Sequence, residues 1–449
     1  MQPKIISAHS LGINHQQIEE SAYEVIKTLH AKGHHAYIVG GGVRDLLLKA
    51  KPKDFDIVTD ATPEQIKRLF QRNSMIIGRR FKIVHVYYDK LHQTRSEKFR
   101  RDIYEKQIIE VSTFRSNNVH DVDKNDKGRI VSDNNYGTMD EDAHRRDFTI
   151  NALYYDPIEE KIFDYLGSIK DVQDKILRII GKPQTRYIED PVRIIRAIRI
   201  ATKLGLEIDI NTISPFKNLK NLLVNEPRGR LFEEMNKILM SGYAGEVIKE
   251  LHHLGIDNKV FPLFGQLFFN QTDTFALRVI ERTDERIQDN GDVSLIFIFA
   301  AMYWNTLKNS TAHYQKSFNM SYKEAYQEAI SFSKQKIIKN GLTQNLMLNI
   351  REIWLMQPSF EHPSLKKVEI LLTHRRLRQA WNLFMLRHEF GEIDDELYAW
   401  WDNFINNENA DRTELLIELV DKFPEANEIK KKKKRKKRKK KTKPTIEQQ

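Results

Sequence analysis

Between residues 14 and 29 the apolar positions Ile18, Ala22, Val25, Ile26 and Leu29 recur at helical spacing. Asn14 and Gln17 form the two halves of a capping box, and Gly33 closes the predicted helix. The period then changes. "HAYIVG" reads as a buried strand, the glycines after it as a turn, and "VRDLLLKA" as one or two helical turns. "DFDIVT" is a predicted strand and "TPEQIKRLF" a helix capped by Thr62, with Pro63 at its first position. "MIIGRRFKIVHVYY" and "QIIEVSTFR" carry the β-branched and aromatic residues of strands, and "RRDFTINALYYD" is expected to be the last strand. Two polar intervals, 89–107 and 116–137, read as excursions from this α/β unit, which ends between residues 155 and 170.

From about residue 170 the pattern is helical, as in "EDPVRIIRAIRIATKLG", "PRGRLFEEMNKILMSG", "SLIFIFAAMYWNTL" and "RRLRQAWNLFMLRHEF". Trp304, Trp354, Trp381, Trp400 and Trp401 fall in such stretches and are expected in the core. His252 and His253 are expected to be ordinary helix residues.

A chain of 449 residues exceeds what one core usually sustains, so two or more domains are expected. No apolar run is long enough to span a membrane, the N-terminus lacks the pattern of a secretory signal, and a cytoplasmic home is expected. Cysteine is absent, which excludes disulfides, thiolate metal sites and cysteine nucleophiles. The net charge of +11 is concentrated at one end: Lys430 to Lys443 holds thirteen cations, interrupted only by Thr442. Taking away these thirteen and one anion, Glu447, leaves residues 1–429 at −1. Like-charge repulsion keeps such a tract solvated, and Lys431, Lys434, Arg435 and Arg438 are its candidate RNA contacts.

The chemistry gathers between residues 36 and 60. In a strand Asp54 and Asp56 project together while Phe55 turns inward, and two such carboxylates suit Mg²⁺. Asp-x-Asp alone equally describes acids at a strand end. Gly40, Gly41 and Gly42 let a backbone approach a ligand, and the helix start after them offers N–H groups to phosphate. The spacing fits neither G-x-G-x-x-G nor the G-K-[ST] phosphate loop. A third carboxylate, Glu110 or Asp147, would complete a two-metal site, though each alone reads as an ordinary strand-edge acid; Arg145 and Arg146 would neutralise a triphosphate or form a solvated charge pair. Pro191 suits a first helical position with Asp190 as N-cap. Asp190 and Arg193, three apart, would offer an acceptor beside a donor, matching the edge shared by adenine and cytosine; a helix cap with an intrahelical ion pair explains them equally well.

Gly41-Gly42-Val43-Arg44-Asp45, Asp54-Phe55-Asp56, Glu110, Arg145-Arg146-Asp147-Phe148-Thr149-Ile150-Asn151 and Glu189-Asp190-Pro191-Val192-Arg193, in this order, resemble the class II nucleotidyltransferases. That superfamily holds bacterial poly(A) polymerases and tRNA CCA-adding enzymes, and the resemblance runs from about residue 12 to 260. Residues 76–86 and the basic extension are similar to the poly(A) polymerase branch.

The resemblance implies an α/β catalytic head with a mixed sheet over 1–165, a helical neck over 166–260, and a helical body and leg that bind RNA over 261–424. The loss of apolar content and the like-charge repulsion make 425–449 an expected disordered lysine-rich tail. It implies that Asp54 and Asp56 bind two Mg²⁺, with Glu110 or Asp147 completing the site, Asp147 alternatively holding the ribose. Gly41, Gly42 and Arg44 would hold triphosphate, Arg145, Arg146 and Asn151 belong to the nucleotide-binding motif, and Asp190 and Arg193 would face the base. Arg230 and Glu233 match a further neck motif. The implied activity is template-independent addition of AMP from ATP to RNA 3′ ends. Its rivals are a CCA-adding enzyme and a non-catalytic RNA-binding protein acting through its lysines.

Overall fold

The computed structural model describes residues 2–78, 82–92, 103–116, 123–124, 130–132, 135–256, 274–339, 341–407 and 411–422. The chain forms two compact units, Met1–Asn270 and Gln271–Gln449.

The first unit is built on a sheet of eight strands: β1 (Lys4–Ser7), β2 (Ala36–Val39), β3 (Asp56–Thr59), β4 (Ser74–Ile77), β5 (Ile83–His92), β6 (Ile103–Thr113), β9 (Leu153–Asp156) and β10 (Lys161–Asp164). Two short strands, β7 (Asp123–Lys124) and β8 (Ile130–Ser132), pair separately. The order β1-β10-β9-β2-β3-β6-β5-β4 is antiparallel except where β3 and β6 run parallel, so the sheet is mixed, as expected. β2 is buried at all four positions because both faces are covered. Tyr37 and Val39 pack with Val58, Phe114, Ala143 and Tyr154. The amphipathic helix Glu20–His30, which also packs on β2, buries Ala22, Val25, Ile26 and Leu29.

Local signals held in most places. Thr62 accepts from the Gln65 N–H in a complete capping box, and Pro63 opens the helix Pro63–Phe70. The Asn14–Gln17 box forms too, but it closes a 3₁₀ turn, His15–Gln17; the extended Ile18 interrupts the chain, and the helix begins only at Glu20. "DFDIVT" contributes a shorter strand than expected, since β3 starts at Asp56 and Asp54 precedes it. "RRDFTIN" is not strand: Thr149–Asn151 make a 3₁₀ turn that enters β9. The interval 89–107 continues a β5–β6 hairpin, with Asp89 opposite Lys106 and His92 opposite Ile103; residues 93–102 lie outside the described residues.

After β10 the first unit turns helical, with Pro183–Glu189, Val192–Leu204, Arg228–Leu239 and Ala244–His253. In the second unit every described element is a helix, from Thr274–Gln288 to Arg412–Lys422. All five tryptophans are buried, as their positions predicted. Four of them donate the indole N–H: Trp304 to Glu392, Trp354 to the Ala300 carbonyl, Trp400 to that of Leu415 and Trp401 to that of Phe360. Among the described residues no helix is long and apolar enough to cross a membrane. The expected RNA contacts Lys431, Lys434, Arg435 and Arg438 lie outside the described residues.

Candidate active site

Asp56 opens β3, next to β6. The parallel register pairs Ile57 with Val111 and, carried one residue back, sets Asp56 beside Glu110 on the same face. Glu110 faces His85 across the antiparallel side, with Nε2 3.4 Å from the carboxylate. Asp54 is exposed just ahead of the strand, while Phe55 is buried between the two acids at 4% exposure. Although Asp56 keeps solvent contact, lost hydration pushes its carboxyl up to about 6, with the charges of Asp54 and Glu110 adding to the shift.

Asp56 and Glu110 form one side of a cavity of about 410 Å³. Arg115, Arg145, Arg193 and Asp190 also line it. Arg145 is pushed down to about 10, first by lost hydration and then by neighbouring Arg115, Arg186 and Arg193. Like charge is therefore crowded at two poles of the cavity wall, carboxyls at Asp56 and arginines at Arg145. The arginine side also holds Asp142, Glu189 and Asp190, paired with Arg146, Arg193 and Arg230. A cation relieves the first and a polyanion the second. Among the described residues no three acidic or histidine side chains already surround one point, so the expected convergence of three carboxylates is a looser acidic pole. Mg²⁺ fits it, because that ion needs only one or two carboxylates and fills its octahedron with water and phosphate oxygens.

Asp147, the alternative to Glu110 as the third carboxylate and to a ribose contact, does not line this cavity; it lines an adjoining pocket with Arg146, Asp190, Arg193 and Arg196. Burial alone would raise its carboxyl, but Arg196, the Asn151 amide, the Phe148 N–H and Arg193 hold it well below the usual range. Its Oδ2 lies 2.5 Å from Arg196 Nη2. Asn151 donates to Asp147 (3.1 Å) and accepts from Arg44 (2.8 Å), so its amide bridges two elements.

Arg44 is also bound to Asp45, at 2.6 Å, and neither it nor Gly41 nor Gly42 lines the cavity. A Cβ on Gly42 would sit 3.1 Å from Phe55 Cδ1, so this glycine lets the turn pack over Phe55. Gly40, at φ +73°, makes the left-handed turn into the helix Gly41–Leu47. Arg146 reaches the cavity but is anchored to Asp142 at 2.9 Å and lies over the Tyr154 ring.

Asp190 is not the expected helix cap. It links the helices Pro183–Glu189 and Val192–Leu204, and Pro191 takes the cap position. It does not pair with Arg193 either: its Oδ2 accepts from Arg230 (2.9 Å), while Arg193 donates to the Arg186 carbonyl (2.7 Å) and lies 3.6 Å from Glu189. Asp190 Oδ1 is buried with no hydrogen-bond partner, and both residues line the cavity. In the GRLFEE segment Glu233 is exposed, and the buried acid is Glu234, held by Arg196 and Arg199.

Arg115 and Arg196 were missed by the sequence reading, although both line the cavity. Arg196 carried a legible signal, since Arg193, Arg196 and Arg199 recur every three residues on one helix. Arg115 carried none beyond its place after a strand.

The crystal structure of the Bacillus stearothermophilus CCA-adding enzyme in complex with CTP superposes with a TM-score of 0.52, covering 90% of this chain and 81% of that one at 21% identity. That likeness defines a nucleotidyltransferase fold. The family model described as "Poly A polymerase head domain" matches residues 36–178. "Probable RNA and SrmB- binding site of polymerase A" matches 205–267, and "Polymerase A arginine-rich C-terminus" matches 318–441. Poly(A) polymerase I of Escherichia coli O6:H1 is 37% identical over 431 residues, covering 93% of this chain and 89% of its own. The CCA-adding enzyme of Bacillus subtilis is 32% identical over 231 residues, covering 51% of this chain and 52% of its own. The chain belongs to the poly(A) polymerase I family, and it is a nucleotidyltransferase.

Proposed function

We propose that the chain adds AMP units from ATP to RNA 3′ ends without a template, by direct in-line transfer that releases pyrophosphate, in the cytoplasm. The observation that carries the chemistry is the bipolar cavity: carboxyls crowded at Asp56 and arginines crowded at Arg145 face one space, and a magnesium–nucleoside triphosphate relieves both. Asp54, Asp56 and Glu110 are the proposed holders of two Mg²⁺. The chemistry that bound metal supplies there is activation of the RNA 3′-hydroxyl and neutralisation of the departing pyrophosphate.

Arg115, Arg145 and Arg146 meet the triphosphate. Asp190 Oδ1 accepts from the exocyclic amino group of the base while Arg193 donates to the adjacent ring nitrogen. Asp147 acts through Arg196 and Asn151 as a positioning residue. Adenine and cytosine share that edge, so the choice of ATP rests on the likeness to poly(A) polymerase along nearly the whole chain, against half the chain for the CCA-adding enzyme.

Purified protein given RNA and one nucleotide at a time tests the reading. Long tails from ATP alone are expected; CTP incorporation on tRNA lacking its terminus, without tails from ATP, overturns it.

A further inference from the structure

The second unit holds a pocket of about 390 Å³ whose walls include Trp304, Tyr322 and Tyr326. Tyr322 and Tyr326 stack with centroids 5.6 Å apart and planes 22° from parallel. Tyr326 is fixed by its hydroxyl, which donates to the Trp354 carbonyl at 2.7 Å, and Trp304 by the Glu392 carboxylate at 2.8 Å. Tyr322 is 39% exposed and closes the stack on its solvent side. The cations of the pocket are already matched: Lys308 lies 2.5 Å from Glu392, and Arg387 lies 2.7 Å from Glu361 and 3.1 Å from Glu392.

A pocket whose two cations are each met by a carboxylate has no surplus charge for a phosphate. The Arg387 guanidinium already covers the Trp304 ring at 4.2 Å, and Tyr326 is buried against Tyr322. It is therefore the part-exposed Tyr322 ring that favours a flat, neutral ligand, and the exposed Gln315 amide adds a donor and an acceptor at the wall. A nucleobase has that shape and that mixed polar edge. Lys316 and Lys323, each next in sequence to a lining residue, are exposed cations of the kind a phosphate backbone needs on either side of an inserted base.

We propose that this pocket between the helices Trp304–Phe318 and Tyr322–Lys339 binds one base of single-stranded RNA by stacking on Tyr322. The proposal deepens the functional reading, because it requires that the chain act on RNA. It adds a contact separate from the basic tail, one that reads a base and not a charge.

The test uses the full-length protein, fluorescent oligo(A) for affinity, and AMP incorporation into an RNA primer for kcat and KM. Truncating a base-stacking aromatic weakens single-strand binding by about tenfold or more. Tyr322→Ala is therefore expected to raise the Kd for oligo(A) about tenfold, and the KM for RNA with it, without changing the salt slope of binding. Tyr322→Phe keeps the ring and is expected to restore binding, which separates stacking from a folding defect. Phe332→Ala removes an aromatic 45% exposed on the same helix but outside the pocket, and is expected to bind like the parent. Unchanged oligo(A) affinity in Tyr322→Ala, or an equal loss in Phe332→Ala, overturns the base pocket. Loss of incorporation by the parent protein with every nucleotide would instead overturn the transferase reading, so the two failures are distinguishable.

Discussion

A carboxyl that titrates at about 6 when folded and at an ordinary 3.8 when unfolded makes stability pH-dependent, and Asp56 is such a group. Between those values the folded state binds the extra proton, so this contribution weakens the fold as pH rises through the window. Solvent contact at Asp56 reduces the penalty to about 1 kcal/mol at neutral pH. Asp56→Asn is expected to raise Tm by about 2–4 °C at neutral pH without divalent cations, and the gain should shrink towards pH 5. Thermal melts across pH check this; a gain that is constant with pH would refute the assignment. The same substitution is expected to abolish AMP incorporation while RNA binding persists.

At the scale of elements, the turn between β2 and β3 depends on a packing constraint at Gly42. The added methyl of Gly42→Ala would meet Phe55 Cδ1 at 3.1 Å and the Asp54 carbonyl at 3.4 Å. Since both contacts belong to the segment that presents Asp54 and Asp56, overpacking is expected to cost about 1–3 kcal/mol and to lower kcat. Adding Phe55→Leu, which shortens the side chain in the way, is expected to recover part of the lost stability in denaturant unfolding. No recovery would show that the glycine is needed for ligand approach instead. The sequence marked the position, because three successive glycines require a backbone reason, but it could not show that one of them makes room for a phenylalanine. The short edge strand β1 went unread for a related reason: four mostly exposed residues carry no burial alternation to detect.

For the whole molecule, charge is divided by position along the chain rather than spread over it. Thirteen cations fall between Lys430 and Lys443. Deleting residues 430–449 is expected to reduce RNA affinity and processivity while single-nucleotide transfer survives. The salt dependence of binding should flatten by about 0.7 for each lost phosphate contact. Titrating RNA at several salt concentrations measures that slope, and an unchanged slope would show that the tail touches no phosphate. The second unit meets the expectation of a helical region with tryptophan in its core, where four of the five indoles also carry a hydrogen bond that fixes the ring.

What the sequence determined by itself was local: strand and helix periods, the Thr62 capping box, the turn at the glycines, and the segregation of charge. These depend on neighbours within a few residues, where period and backbone preference act directly. Tertiary structure decided which charged groups meet. Glu110 reaches Asp56 because β3 and β6 run parallel, and Asp147 is held by Arg196, which lies on a later helix. Asp190 is held by Arg230 and not by its neighbour Arg193, which leaves one carboxylate oxygen buried and unpartnered. Each of these pairings is a competition among charges brought together only by folding, and spacing along the chain carries no record of its outcome.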